Sequence, residues 1–131
     1  MTSYLYVAYH HNWSAGDPDF RRHWLFLLTA HRGSNIGTAY DVVDHEHDGQ
    51  WERRKKENHD VSESGTFQDK VVLGRIKEEN IADFENVIDE AALPAEGEDC
   101  QNYVINVVEN LVEKMILDKL ALTYITMVPS K

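Results

Sequence analysis

Cysteine occurs once in these 131 residues. No internal disulfide can form, which fits a reducing compartment and leaves one thiol to be accounted for. Proline is scarce, with three in all, and no linker, repeat or low-complexity tract divides the chain. Long apolar runs are missing, so nothing reaches the span of a bilayer. The N-terminal stretch MTSYLYVAYHHNW carries neither a basic n-region nor a small-residue cleavage site. Positive charge is in short supply: 13 Lys and Arg against 23 Asp and Glu give a formal net charge of −10. Such a surface repels phosphates, which argues against nucleic acid as a main partner, and it disfavours anionic membranes. Its only basic cluster, Arg53, Arg54, Lys55 and Lys56, is short and flanked by acids. It reads as a solvated strand or loop rather than a binding patch. A phosphate-binding glycine loop, a G-x-S-x-G elbow and an H-E-x-x-H helix are absent, and the enzyme classes that need them fall with them.

What remains is ordinary globular material. The apolar content of 42% and the aromatic content of 10% support one core without metal or disulfide staples. The expectation is a single soluble domain over residues 1–131, cytoplasmic and without a bound cofactor.

Residues 4–9, YLYVAY, have strand propensity. HHNWSAGDPDF reads as a loop through Gly16, Asp17 and Pro18. RRHWLFLLTA, residues 21–30, is nearly continuous apolar sequence and suits a strand covered on both faces. HRGSNIG is rich in turn residues, and TAYDVVDH, residues 38–45, resumes strand character, so the two runs form an antiparallel hairpin. Residues 45–66 read as a polar, irregular excursion with a short edge strand around Trp51–Lys55. FQDKVVLGRIK, residues 67–77, is a further strand in which Gly74 marks a bulge or a close backbone approach.

Helical spacing appears only in the second half. Ile81, Phe84, Val87, Ile88 and Ala91 share one face, and Pro94 and Gly97 end that segment. In EDCQNYVINVVENLV, residues 98–112, the positions Val104, Val107, Val108, Leu111, Val112 and Met115 recur at three- and four-residue steps, a buried helix with Asp99 as its cap. LDKLALTYITMVPSK fits either helix or a final strand. Strands first and helices last imply α+β, an antiparallel sheet of about four to six strands packed against two or three helices.

Cys100 falls in the first turn of the second helix. Unpaired N–H groups and the positive end of the helix dipole meet there, and both favour thiolate over thiol. Glu96, Glu98 and Asp99 crowd the same end, and negative charge acts the other way. A cysteine nucleophile needs a base and a group that orients it. His23 opens the most apolar strand, an odd place for an imidazole without a partner. With the turn centred near Gly33–Ser34, the hairpin sets His23 close to Asp41 or Val43, and opposed side chains on one face interact. Asp41 is the first candidate to orient the ring. Tyr40 and Asp44 are the alternatives, because a shift of one residue reverses the faces. The backbone N–H groups of Cys100 and Gln101 are candidate oxyanion donors.

HWLFLL, a turn, GTAYDVV and, much later, DCQNYV together resemble the circularly permuted papain-like group, which includes lecithin:retinol acyltransferase-like proteins, NlpC-type hydrolases and PPPDE peptidases. The likeness spans roughly residues 20–112, and several small uncharacterised fungal proteins share the pattern. In the acyltransferase-like members a His-Trp pair opens a strand, a polar residue follows on the partner strand, and an asparagine–cysteine pair begins a later helix. His23–Trp24 match the first element and Cys100 the last, with Tyr103 and Val104 at the aromatic and aliphatic positions after it. Asp99 stands where the group has asparagine, the third polar residue is not an obvious histidine, and the hairpin turn is longer. The resemblance implies a permuted papain-like fold and a Cys100–His23–Asp41 hydrolase or acyltransferase acting on an amide, ester or thioester of a small molecule or peptide. The alternative is an inactive module of the same fold that binds a small molecule or a protein, including a second copy of itself.

Two further groups stand out. DHEHD places His45 and His47 two apart between carboxylates, but no second ligand pair of recognisable spacing exists, so a polar loop and no metal are expected. His10 and His11 are adjacent and would point to opposite faces of a strand, and His31 belongs to the turn. Of the aromatic residues, Trp13, Trp24 and the N-terminal tyrosines read as core, whereas Trp51, in a polar stretch, reads as a cover for the sheet or a lid over the cleft.

Overall fold

The computed structural model describes residues 2–11, 21–44, 46 and 48–131. The expected loop through Gly16–Pro18, Trp13 and the His45/His47 pair lie outside these residues. Five strands form one sheet: β1 (Thr2–His10), β2 (His23–Thr29), β3 (Ile36–Val43), β4 (Glu52–Asp60) and β5 (Phe67–Lys77). They lie in the order β4-β3-β2-β1-β5, with every neighbouring pair antiparallel. Three helices follow, α1 (Ile81–Glu90), α2 (Cys100–Glu113) and the short α3 (Ala121–Tyr124). The fold is α+β, an antiparallel sheet with helices packed on one face.

Period-two alternation explains the layers. Leu5, Val7, Trp24, Phe26, Leu28, Tyr40 and Val42 point toward the helices and meet Phe84, Val87, Val104, Val107, Val108 and Leu111 in the main core. Phe26 and Tyr40 both set their rings edge-on to Phe84, with centroids 6.4 and 5.3 Å apart. The opposite face carries a smaller cluster of Tyr6, Ala8, Leu25, Leu27, Ala39 and Val61. It is covered because residues 61–66 carry the chain from β4, at one edge, to β5, at the other. Val61 is fully buried in that crossing, and its N–H bonds back to Asn35 O at 3.0 Å. This explains why β2 is apolar on both sides.

One segment differs from the sequence reading, and a second, left open by it, is decided by the structure. The excursion after His45 contains a full nine-residue edge strand, β4, rather than a short one around Trp51–Lys55. Its charged sequence hides it, but an edge strand tolerates charge because one side and much of its surface face water. The C-terminal segment, ambiguous in sequence, is α3 and a 3-10 turn rather than a strand. Gly74 does mark a bulge: the β1–β5 register jumps between Leu5 and Tyr6, opposite Gly74 and Val72.

Candidate active site

The β2–β3 register pairs Phe26 with Tyr40 and Leu28 with Thr38. Continued toward the strand ends, it sets His23 opposite Val43 and places Asp41 diagonally across on the same face. His23 and Asp41 close that diagonal with an Nε2–Oδ2 hydrogen bond of 2.8 Å. Asp41 is held in turn by Arg54 of β4, which donates from Nε to Oδ1 at 2.9 Å and from Nη2 to Oδ2 at 2.7 Å. The carboxylate is buried while His23 and Arg54 are each a third exposed. Burial opposes the charge on Asp41, but the hydrogen bonds from His23 and Arg54 outweigh it and hold the carboxyl well below the usual carboxylate range.

α2 brings the thiol to this group. Asp99 caps the helix, accepting from Gln101 N at 2.9 Å, while Asn102 Oδ1 accepts from Asp99 N at 2.9 Å in a reciprocal capping box. Gln101 is fully buried and its Nε2 donates to Arg22 O at 2.8 Å and Ser130 O at 2.9 Å. Its Oε1 accepts from Arg21 Nε at 2.9 Å and also from Nη2. These bonds pin the first turn of α2 to the residues entering β2. Cys100 Sγ accordingly lies 3.9 Å from Arg22 O, next to His23. Burial lowers the proton affinity of the His23 ring, but hydrogen-bonding and electrostatic interactions with Asp41 and Cys100 overcome it, and its pKa is raised to about 9. With Nε2 committed to Asp41, Nδ1 is the nitrogen left for the sulfur.

Two of the acids at the N-terminal end of α2 have partners. Asp99 Oδ2 lies 3.3 Å from Arg21 Nε, and Glu98 Oε1 accepts from Ala95 N at 2.9 Å.

Cys100, His23 and Asp41 are therefore one constellation, and three other sequence candidates are not part of it. Tyr40 faces the helices, where its hydroxyl donates to Glu85 Oε2 at 2.8 Å; burial and that carboxylate push its pKa up. Asp44 accepts from Asp48 N and Gly49 N and shapes the turn before β4. Trp51 packs against the helix-side core and is no lid. Gln101 anchors the site rather than offering an oxyanion donor, since its N–H is taken by Asp99.

Sequence reasoning missed Arg54 and His10. The basic run of β4 is not simply solvated. Alternation sends Arg54 and Lys56 to the cleft side, while Arg53 donates from Nε to Ile88 O at 3.2 Å and Lys55 pairs with Glu85 at 2.7 Å on the helix side. His10 is paired with His23 across β1 and β2, their ring centroids 6.0 Å apart. His11 lies past the end of β1, so alternation does not bind it, and both histidines border the same cleft of about 330 Å³ with His23, Asp41 and Arg54. Cys100 is 6% exposed and is not one of the residues lining that cleft. Among the described residues no group of three or more His, Cys, Asp or Glu side chains is arranged to hold a metal ion. Among them, too, no helix is long and apolar enough to cross a membrane.

Comparison with curated proteins and with solved structures gives no match. One family model does match, over residues 6–118, from within β1 to just past α2 and so across the whole constellation. The chain belongs to that family, DUF6540, a family of unknown function.

Proposed function

We propose that the protein is a cysteine-dependent hydrolase or acyltransferase acting on an amide, ester or thioester of a small molecule or peptide. The observation that carries this reading is the His23 ring, hydrogen-bonded to a buried carboxylate on one side and neighbouring the lone thiol at a helix N-terminus on the other. A ring that keeps its proton to about pH 9 suits an imidazolium paired with a thiolate. Cys100 attacks the carbonyl carbon, and the carbonyl π electrons move to oxygen. On collapse, the carbon–nitrogen, carbon–oxygen or carbon–sulfur bond breaks, and His23 gives its proton to the leaving group. Water, or an acceptor alcohol or amine, then loses a proton to His23 and cleaves the thioester, which restores the thiol. Asp41 keeps the ring oriented and charged, and Arg54 keeps Asp41 in place. The Cys100 N–H, which has no intrahelical partner at this position, is the backbone donor available to the oxyanion. The permuted papain-like likeness in sequence supports the same assignment, and a lone catalytic thiol suits a reducing, cytoplasmic setting.

A binding module of the same architecture is the second reading. The burial of Cys100 and the capped Gln101 N–H favour it. Iodoacetamide labelling across pH separates the two, since Cys100 is the only thiol. Labelling that persists well below the pKa of a free thiol, and slows at least ~10-fold in His23→Ala, is expected for the enzyme. A rate no higher than that of the unfolded chain at every pH would overturn it.

A further inference from the structure

The charges of this acidic chain are unevenly placed. Around the cleft that His23 borders, Asp41 is the one lining carboxylate, and both of its oxygens are engaged by His23 and Arg54. Lys56 lines the same cleft and has no ion pair or hydrogen bond among the described residues. Two cations hold one carboxylate, and a third stands beside them with no partner among the described residues. In a chain of net charge −10, that leaves a local positive excess.

A second observation is independent of charge. His10 is 6% exposed and lines the cleft. Its Nδ1 meets Thr66 Oγ1 at 3.2 Å, while its Nε2 is buried with no hydrogen-bond partner among the described residues. A buried polar atom without a partner is unusual in a native fold and calls for one, whether a water, an ion or a ligand atom. Burial and the neighbouring His23 charge lower the His10 pKa to about 4, so the ring is neutral at physiological pH. When Thr66 donates to Nδ1, Nε2 carries the ring hydrogen and presents a donor.

We propose that this cleft is an oxyanion subsite that takes a carboxylate or phosphate group of the substrate, with Lys56 and His23 supplying charge and His10 Nε2 supplying a hydrogen bond. A volume of about 330 Å³ admits a small anionic group with a few attached atoms rather than a folded partner. The assignment of the anion to a substrate rests on the proposed Cys100–His23 chemistry; the binding itself does not. His23 belongs to both sites, so an anion held here lies beside the proposed base.

The test follows the ring proton signals of His10 and His23 by NMR while inorganic phosphate, acetate or neutral acetamide is titrated into the full chain. The expected result is a saturable shift with phosphate or acetate and none with acetamide. Binding should weaken about tenfold in Lys56→Glu, less in Lys56→Gln, and hold within about twofold in Lys119→Glu, which changes net charge equally from the turn before α3. The tighter anion identifies the group on the substrate. No saturable shift with either anion, an equal response to acetamide, or equal weakening by Lys119→Glu would overturn the subsite. Saturable binding beside an unreactive Cys100 supports the subsite and removes the catalytic reading. A reactive Cys100 without anion binding does the reverse.

Discussion

Arg54 meets Asp41 fork to fork, Nε to Oδ1 at 2.9 Å and Nη2 to Oδ2 at 2.7 Å, so the residue that holds His23 is itself held from the neighbouring strand. A bidentate guanidinium fixes the plane of a carboxylate as well as its charge. That leaves Asp41 little freedom to turn away from the ring.

Asp41→Asn removes the negative charge that His23 and Arg54 share. The His23 pKa is expected to fall from about 9 toward the ordinary imidazole value, read from ring proton shifts across pH. Stability should drop by about 1–3 kcal/mol, because two cationic groups lose their counter-charge and one of its two acceptor oxygens becomes an NH2 donor. Tyr40→Phe, one residue away on the opposite face, should leave the His23 titration in place. An unchanged His23 titration in Asp41→Asn would show that the carboxylate does not set the charge of the ring.

Stability should be greatest near pH 6.5 and decline on both sides. The folded pKa of His23 is raised to about 9 from 6.5, so its contribution is complete below 6.5 and is lost as pH rises through 9. The folded pKa of His10 is lowered to about 4 from 6.5. The unfolded chain therefore binds more protons between 4 and 6.5, and stability falls as pH drops through that window. Urea denaturation across pH checks both arms. His23→Gln should flatten the alkaline arm and His10→Gln the acidic one.

Gln101→Ala should cost about 2–4 kcal/mol. The fully buried side chain joins Arg21, Arg22 O and Ser130 O, and its loss leaves two carbonyls short of a donor. Chemical denaturation measures the loss. Faster amide exchange at Arg22, whose N–H bonds Ser130 O at 3.0 Å, would locate it. A change under 1 kcal/mol would mean that the anchor is not this side chain.

Gly37→Ala should destabilise the β2–β3 hairpin by about 1–3 kcal/mol. A Cβ at position 37 would lie 2.2 Å from Leu28 O, a backbone atom that cannot swing aside, and the β3–β4 register shifts just after this residue. Gly33→Ala is expected to be destabilising for a different reason. Its added Cβ meets open space, but its φ of +80° strains any L residue. Comparing the two by thermal unfolding separates crowding from backbone strain.

Much of this protein follows from local pattern. Strand propensity in YLYVAY, the nearly continuous apolar run of HWLFLL, period 3.6 from Ile81 and again from Cys100, and the glycine-bearing turn between Thr29 and Ile36 define the strands, the helices and the hairpin. The hairpin turn made Asp41 the first candidate to orient His23 and left Tyr40 and Asp44 as alternatives, and the register of the folded sheet selects Asp41. The chain could not declare β4 by local pattern, since ERRKKENHD owes its extended form to pairing with β3 rather than to apolar alternation. Only the tertiary structure joined Arg54 to Asp41, set His10 across from His23 and turned Tyr40 and Trp51 toward the helices. It also brought Cys100 to the imidazole, through the contact of buried Gln101 with the entry to β2. Those relationships connect residues up to about eighty positions apart, and they exist only where packing closes the long loops between them.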